Sequence, residues 1–302
     1  MKSNRFYKGL TLYGIANSLL TFSVGAACMY KFPFRKALIT GGSSGIGLAI
    51  AKMMVESGLD VVLVARNPQK LAAAEELLHK ISEAQQKKVR IKSVAVDVSD
   101  RKMLENFLVP VCMNGNVPDL VVNCAGMAYP NYFERIDSNI FDQSVQINLT
   151  GTWNILKTVV PKMKPGGHIV NVSSVAGLVG TFGYTAYSAT KFGIIGLSEA
   201  LRNELSPRGI GVSVLCPPDT ETPQLEQENI TKPAETRAIS GNGGKLTPEQ
   251  VAKAMITGVR RKRFYILPGL QSKLIFLVKR LWPGLIYKII DRDAKRFSTN
   301  KG

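Results

Sequence analysis

The residues best suited to chemistry are Tyr187 and Lys191, which lie in the run YSATK. Their spacing of one helical turn places both side chains on the same face of a helix. A tyrosine with an ordinary pKa of about 10 is a poor acid at neutral pH, and a neighbouring ammonium stabilises its phenolate. We therefore predict that Tyr187 exchanges a proton with the substrate and that Lys191 lowers the pKa of its phenol. An exposed helix pair without a catalytic role is the alternative.

Two polar residues that precede this pair are predicted to act with it. Ser174 ends the run IVNVSS, where its hydroxyl is expected to hydrogen-bond the substrate carbonyl. Ser173 is the competing serine, and alternation along a strand turns it the other way. Asn148 is expected to hold a water that joins Lys191 to solvent and resupplies the proton. The alternative for Asn148 is a residue that caps or kinks its helix.

A glycine-rich segment, TGGSSGIG at residues 40–47, follows the first predicted strand. Its glycines allow the backbone to turn sharply and to approach a pyrophosphate at the N-terminus of the next helix. A tight glycine turn without a ligand is the alternative. The residues predicted to bind a dinucleotide here are Gly41, Ser43, Ser44, Gly45, Ile46 and Gly47.

The end of the second predicted strand indicates which dinucleotide is bound. An acid at this point accepts a hydrogen bond from a ribose 2′-hydroxyl, but this chain has Ala65, Arg66 and Asn67. Arg66, with Ser43 and Lys70, is expected to pair with a 2′-phosphate through charge-assisted hydrogen bonds. The sequence thus predicts NADPH/NADP+ as the cofactor. A solvated arginine that leads into a helix is the alternative.

The ends of two later strands complete the predicted cofactor site. Asp97 and Val98 follow the third strand, where an acid and a backbone group are expected to hold the adenine, although Asp97 also suits a helix cap. Asn123, Ala125 and Gly126 end the fourth strand.

Between residues 36 and 260, short β-branched runs alternate with helical stretches. This alternation predicts an α/β fold of the Rossmann type, with a doubly wound parallel sheet. We therefore assign residues 36–260 to an NADP-binding catalytic domain.

Residues 1–35 are predicted to form an N-terminal membrane segment with its flanks. Residues 9–30 carry no charge and are long enough to cross a hydrocarbon core as a helix. We expect an uncleaved membrane helix. An interfacial helix and a cleaved signal peptide are the alternatives.

Residues 261–302 are predicted to form a basic, amphipathic tail that associates with membranes. Apolar blocks alternate here with lysines and arginines too often for a comfortable membrane span. An interfacial helix broken near Pro283 fits this pattern. The alternative is a basic helix that packs on the protein's own surface or on another subunit.

The formal net charge of +17 is concentrated at the two ends of the chain. Residues 1–36 carry +6 and residues 258–302 carry +10, which leaves +1 for the 221 residues between them. A nucleic-acid enzyme would place positive charge along its groove, so nucleic acid is not expected as a partner. Basic residues beside apolar segments favour anionic membrane lipids. No spacing of cysteine and histidine suits a metal site.

These motifs occur in the order found in the short-chain dehydrogenase/reductase family, and the chain resembles that family over residues 36–260. The resemblance implies a sheet of about seven parallel strands and a homo-oligomer, a dimer or tetramer. It also implies a catalytic set of Asn148, Ser174, Tyr187 and Lys191. The chain departs from the family at Cys124, where many relatives have asparagine, and at Pro218 and Asp219, where most have a glycine after Pro217.

The segments CPPDTETP at 216–223 and ENITKPAETRAIS at 228–240 are similar to those of family members that reduce a long-chain lipid ketone, 3-ketosphinganine, to sphinganine with NADPH. The resemblance implies that Pro217 and either Thr220 or Thr222 lie near the nicotinamide, and that residues 224–245 form a substrate lid. It further implies an endoplasmic reticulum membrane with a cytosolic active site in a eukaryote, or the inner membrane in a bacterium. A reductase of another lipophilic substrate (a steroid, a retinoid or a fatty aldehyde) is the alternative, and a non-catalytic NADPH-binding membrane scaffold is a remote one.

Overall fold

Seven parallel strands form the sheet that carries the rest of the chain. In this computed structural model, which describes residues 32–111, 116–241 and 244–298, their order is β3-β2-β1-β4-β5-β6-β7. The strands are β1 (Lys36–Thr40), β2 (Asp60–Ala65), β3 (Ile91–Ala95), β4 (Leu120–Asn123), β5 (His168–Val172), β6 (Gly211–Leu215) and β7 (Tyr265–Ile266). The predicted doubly wound parallel sheet of about seven strands is confirmed. The last strand, β7, lies beyond residue 260, the predicted end of the catalytic domain.

The strands are apolar along their whole length because helices cover both faces of the sheet. Every residue of β1 is buried, as are residues 61–64 of β2 and all of β4. Two separate clusters of buried side chains lie on the two faces. Phe32 and Phe34, which precede β1, pack edge to face and belong to one of these clusters.

Eleven helices are present among the described residues. They are α1 (Gly45–Glu56), α2 (Pro68–Ala84), α3 (Arg101–Val111), α4 (Ser138–Ser144), α5 (Gly151–Val159), α6 (Thr185–Leu205), α7 (Pro223–Thr231), α8 (Ala234–Gly241), α9 (Pro248–Arg260), α10 (Gly269–Leu281) and α11 (Pro283–Ser298). A π-helical turn, Val145–Thr150, joins α4 to α5. Short 3₁₀ turns occur at Phe133–Arg135, Val160–Lys162, Val175–Gly177 and Ser206–Arg208.

The strand order reverses between β1 and β4, because β1 lies beside both β2 and β4. In an open parallel sheet, ligands bind in the crevice outside the carboxyl ends of the strands at such a point. The loops after β1, β4, β5 and β6 therefore meet at one edge of the sheet, and this arrangement positions the site described below.

The C-terminal segment folds as a helical hairpin of α10 and α11. The two helices contact each other, and α11 contacts α8. The first helix ends at Leu281 and is followed by Trp282, and the second begins at the next residue, Pro283. The segment thus packs on the protein's own surface, which was the alternative to a free interfacial helix, and it still exposes several large apolar side chains.

The predicted N-terminal membrane helix, residues 9–30, lies outside the described residues. Among the residues that the structure does describe, we find no helix with the length and apolar character needed to cross a bilayer.

Candidate active site

A cavity of about 1280 Å³ opens at the carboxyl ends of the strands. Its wall includes the turn between β1 and α1, the ends of β4 and β5, the start of α6, the loop after β6, α7, and the C-terminal hairpin. Sites for one drug-sized molecule measure roughly 300–1,000 Å³. The cavity therefore has room for a dinucleotide and a second molecule.

Tyr187 and Lys191 both line this cavity from the first two turns of α6. The Lys191 ammonium lies 5.4 Å from the centre of the Tyr187 ring. Its Nζ donates a hydrogen bond of 2.9 Å to the carbonyl oxygen of Val172, at the end of β5. The helix and the strand end thus hold the two side chains together, as their spacing predicted.

Burial controls the protonation of both groups. It raises the pKa of Tyr187, the carboxylate of Glu228 raises it further, and a hydrogen bond with Ser174 acts in the opposite direction. Burial lowers the pKa of Lys191 to about 8. Burial and Glu228 thus raise the pKa of the phenol in this structure, and the expected lowering of that pKa by Lys191 stays a prediction. At neutral pH Tyr187 is a protonated phenol that can donate a proton.

The two serines after β5 take different directions, as predicted. Ser174 lines the cavity, forms the hydrogen bond with Tyr187, and accepts another of 3.1 Å from the amide of Ala176. Ser173 is fully buried and donates to the carbonyl oxygen of Lys191 at 2.9 Å. Ser174 is therefore the serine placed to contact a substrate carbonyl beside Tyr187.

Asn148 lies on the π-helical turn and is buried behind the cavity wall. Its Oδ1 accepts from the amide of Met127 at 2.8 Å, and its Nδ2 donates to the carbonyl oxygen of Met127 and to Thr190 Oγ1, each at 2.9 Å. Both amide hydrogens are thus engaged with the protein. The side chain joins the loop after β4 to Thr190 on α6, the neighbour of Lys191, and so positions Lys191. The link through a water to solvent stays a prediction.

The turn between β1 and α1 has the shape of a phosphate cradle. Gly41 and Gly45 have φ angles of +66° and +52°, in the left-handed region. A Cβ at Gly47 would lie 2.3 Å from the carbonyl oxygen of Gly41. Ser44, the N-cap of α1, makes no side-chain cap hydrogen bond. The first amides of the helix therefore suit a pyrophosphate, and Ser44 and Ile46 also line the cavity.

Arg66 and Lys70 line the cavity at the end of β2, as expected for a 2′-phosphate site. The Arg66 guanidinium is 63% exposed and lies 3.6 Å from a carboxylate oxygen of Asp97. Asp97 itself accepts from the amide and the hydroxyl of Ser99. Asp97 thus lies beside Arg66, and the helix-cap role falls to Asp100, whose Oδ1 accepts from the amide of Met103 at 3.0 Å.

Four residues predicted to bind the cofactor, Ser43, Asp97, Val98 and Asn123, are absent from the cavity wall. Ser43 is half-buried on the glycine turn. Val98 packs in a core cluster, so only its backbone is left to meet an adenine. Asn123 is buried and donates to Asn171 on β5 at 2.8 Å. Val98 and Asn123 thus turn their side chains into the protein interior, although their backbones lie at the edge of the sheet where the cavity opens.

The remaining predicted residues border the cavity. Ala125 and Gly126 follow β4, and a Cβ at Gly126 would lie 3.5 Å from the Lys191 Nζ. The Thr220 hydroxyl donates a hydrogen bond to the carbonyl oxygen of Pro218. Thr222 caps α7, and its side chain lies close to Gly45. Thr222 is thus the better placed of the two threonines to meet a cofactor phosphate. Pro217 lies on the wall beside Ser174.

Two groups of lining residues escaped the sequence analysis. One is Glu228 on α7 with its partner Tyr184; Glu228 falls within the predicted substrate lid, residues 224–245, but neither residue was given a role of its own. The other is the apolar inner side of the C-terminal hairpin, whose residues were assigned to a membrane-associating tail. These hairpin residues are Leu270, Leu274, Ile275, Ile286, Ile289 and Ile290.

Comparisons with known proteins agree with this geometry. The sequence profile of the family described as short chain dehydrogenase matches residues 35–233. The 3-ketodihydrosphingosine reductase of Dictyostelium discoideum is 37% identical over 270 residues, which cover 85% of this chain and 80% of that protein. The protein of the same name from Bos taurus is 42% identical over 227 residues, 74% of this chain and 68% of that protein.

A solved structure has the same fold. The short-chain dehydrogenase from Sphingobium yanoikuyae in complex with NADPH superposes with a TM-score of 0.69 at 26% identity, over 84% of this chain and 95% of that one. The family profile covers more than half of the chain, including the glycine turn and both catalytic candidates of α6. The chain therefore belongs to the short-chain dehydrogenase/reductase family.

Proposed function

We propose that the protein reduces the ketone of 3-ketosphinganine to the alcohol of sphinganine, with NADPH as the reductant. The observation that carries the proposal is the lining of the cavity, where the hydroxyls of Tyr187 and Ser174 share one space with an apolar wall from the C-terminal hairpin. A long-chain ketone needs hydroxyl groups that act on its carbonyl and an apolar wall that binds its chain. Relatives that are named 3-ketodihydrosphingosine reductase support the same substrate.

NADPH fits the residues that border the cavity. The glycine turn and the N-terminus of α1 would hold the pyrophosphate, and Arg66 with Lys70 would hold the 2′-phosphate. When bound there, NADPH supplies a hydride to the carbonyl carbon.

The chain's own residues supply the proton and orient the carbonyl. Ser174 and Tyr187 donate hydrogen bonds to the carbonyl oxygen, which polarises the bond towards attack at carbon. Tyr187 then transfers its proton to that oxygen as the alcohol forms. The Lys191 ammonium stabilises the resulting phenolate. Its hydrogen bond to the carbonyl oxygen of Val172, and the bond from Asn148 to Thr190 on the same helix, keep the ammonium in place.

The apolar side chains of the hairpin are proposed to bind the acyl tail. Leu274 on α10 lines the cavity, whereas Leu277, one turn further, is half exposed and does not line it. Burying a methylene contributes about 0.8 kcal/mol, so kcat/KM should rise with chain length until the wall is filled. Leu274→Ser should flatten this dependence, and the matched variant Leu277→Ser should leave it unchanged in detergent.

The proposed function is tested with purified protein in detergent. NADPH oxidation and product mass are followed with 3-ketosphinganine, a steroid ketone, a retinal and a fatty aldehyde, alone and in competition. We expect sphinganine as the product and the highest kcat/KM for 3-ketosphinganine. A higher kcat/KM for one of the other carbonyl compounds would assign the site to that substrate instead, and binding of NADPH without turnover would indicate a scaffold.

We also propose that the outer side of the hairpin rests on an anionic membrane, of the endoplasmic reticulum in a eukaryote or the inner membrane in a bacterium. Trp282 is 58% exposed, and Leu281 and Tyr287 beside it are also exposed. Lys273, Lys279, Arg280 and Lys288 lie on the same two helices. In interfacial helices, apolar side chains typically reach the acyl chains of the lipids, and basic side chains beside them contact the anionic headgroups.

Tryptophan fluorescence reports on this contact separately from the N-terminal segment. The chain has two tryptophans, so Trp153→Phe leaves Trp282 as the single emitter. With vesicles that contain phosphatidylserine, we expect a blue shift and quenching by brominated acyl chains. Unchanged emission from vesicle-bound protein would show that the hairpin stays in water.

The homo-oligomer is proposed to form through the outer faces of α5 and α6. Trp153 and Phe192 are exposed there beside a shallow groove that Leu149 and Leu197 line. Exposed aromatic side chains on adjacent helices are typical of an interface between copies. Trp153→Glu should shift the sedimenting species to a monomer, while Trp153→Phe should not. A monomeric wild type would exclude this interface.

A further inference from the structure

We propose that the Glu228 carboxylate binds the protonated amino group of the substrate and thereby selects 2-amino ketones. This inference rests on the proposed function, because 3-ketosphinganine carries an amino group on the carbon next to its ketone. Glu228 would then be a specificity-determining residue, whereas Tyr187 and Ser174 act on the carbonyl group itself.

The position of Glu228 meets the first requirement, which is proximity to the reacting carbonyl. Glu228 lines the cavity from α7, and its Oε2 accepts a hydrogen bond of 2.6 Å from the Tyr184 hydroxyl. The Tyr184 ring lies 5.7 Å from the Tyr187 ring, centre to centre. The carboxylate is also close enough to raise the pKa of Tyr187, although less than burial does. A cation held by Glu228 would thus lie beside the group that protonates the ketone.

The hydrogen bonds of Glu228 meet the second requirement, which is a free acceptor site. Among the described residues, the side chains of Tyr184 and Gln224 donate to it, one to each oxygen. Both partners are donors, so the carboxyl group acts as an acceptor. A carboxylate has about four lone-pair sites, and an ammonium has three hydrogens to share. The other lone pair of each oxygen can accept from an ammonium without displacing either partner.

The charges around Glu228 meet the third requirement. Burial raises the pKa of Glu228 most, the hydrogen bonds from Tyr184 and Gln224 and the charge of Lys232 lower it, and Asp219 raises it. The Lys232 side chain is only 2% exposed, and its Nζ lies 3.4 Å from a carboxylate oxygen of Asp219. Asp219 is the ion-pair partner of this ammonium, so Lys232 compensates Glu228 only at longer range. A second cation would balance this group, because a buried charge is stable only when it is paired.

This arrangement discriminates among lipophilic carbonyl compounds. Steroid ketones, retinals and fatty aldehydes offer no cation, so they would leave Glu228 uncompensated beside a buried carbonyl. A site built to bind a charged donor rejects an analogue that lacks it more strongly than an apolar pocket rejects a change of shape.

The test compares 3-ketosphinganine with its desamino analogue, which keeps the chain, the ketone and the primary hydroxyl. Wild-type protein should show a kcat/KM for the amino ketone about 10- to 100-fold higher, the range of a hydrogen bond to a charged group. Glu228→Gln should remove most of this difference, mainly by raising the KM for the amino ketone. Glu226→Gln, an exposed carboxylate of the same helix, is the matched control and should change neither.

The outcomes separate this inference from the proposed function. If wild-type protein reduces both ketones with equal kcat/KM, the reductase assignment stands and the role of Glu228 is refuted. An equal loss for both ketones in Glu228→Gln would also refute it, because Glu228 would then act through Tyr184 or Tyr187. NADPH affinity and Tm of the variant report whether it is folded, and equal kcat/KM for the two ketones in wild type refutes the inference without any variant.

Discussion

Replacing Lys191 by methionine should make the protein more stable as it makes it inactive. Burial lowers the pKa of Lys191 from an ordinary 10.5 to about 8. Since each pKa unit corresponds to about 1.4 kcal/mol, keeping the ammonium in this site costs the folded state about 3 kcal/mol. Methionine removes that cost but leaves the carbonyl of Val172 without its donor, a loss of about 1 kcal/mol. The net gain in the free energy of unfolding is about 2 kcal/mol at pH 7.

The gain should depend on pH in a defined direction. The folded state binds fewer protons than the unfolded chain between about 8 and 10.5, so wild-type stability rises with pH in that window. The advantage of Lys191→Met is therefore complete below about 8 and disappears as the pH approaches 10.5.

Thermal unfolding without NADPH, at several pH values, measures this effect. The Tm of Lys191→Met should exceed that of wild type by roughly 4–8 °C at pH 7. The exposed Lys157 on α5 provides a matched control, and Lys157→Met should leave the Tm nearly unchanged. A lower Tm for Lys191→Met, or a Tm difference that does not change with pH, would refute the view that burial of this ammonium is costly. Retained reductase activity would refute its role in catalysis.

Three further predictions follow from the same cavity. Arg66→Ala should raise the KM for NADPH about 5- to 10-fold, a modest effect because the guanidinium is largely exposed, and should leave the KM for NADH unchanged. Gly47→Ala should weaken NADPH binding in equilibrium titrations, because its Cβ would lie 2.3 Å from the Gly41 carbonyl oxygen, while Gly196→Ala, with open space at its Cβ, should bind NADPH normally. The kcat/KM for ketone reduction should fall as pH rises through about 8, as Lys191 loses its proton; a flat profile between pH 7 and 9.5 would contradict this.

Local spacing predicted the parts of the site that depend on one element. The helical spacing of Tyr187 and Lys191 and the position of Ser174 at a strand end determine where their side chains point, and the structure brings all three to one cavity. The sheet was equally predictable, since buried parallel strands must be apolar throughout.

Side-chain direction at the other strand ends was less predictable. Asn123 pairs with Asn171, since the register with the neighbouring strand decides which way the last residue faces. Val98 lies in the loop beyond β3 and turns into the core. The pKa of Tyr187 depends on how completely the site is buried, which the four-residue spacing does not reveal.

The lining supplied from distant parts of the chain was unpredictable for a different reason. The C-terminal hairpin reaches the cavity because α11 packs against α8 and Phe276 on α10 packs against Tyr265 on β7. Its apolar residues led to the prediction of a membrane-associating tail. Periodicity shows that a helix has an apolar face but does not show what covers that face. Glu228 likewise gains its position from contact with Tyr184, 44 residues earlier in the chain.

The most direct test of the account is NADPH oxidation by detergent-solubilised protein with 3-ketosphinganine, measured for wild type and Tyr187→Phe. The account predicts sphinganine formation by wild type and a loss of about 10²- to 10⁴-fold in kcat for the variant, which should still bind NADPH. Comparable turnover by Tyr187→Phe would contradict the proton-donor role of this tyrosine. An inert wild-type protein that binds NADPH would contradict the proposed reduction itself.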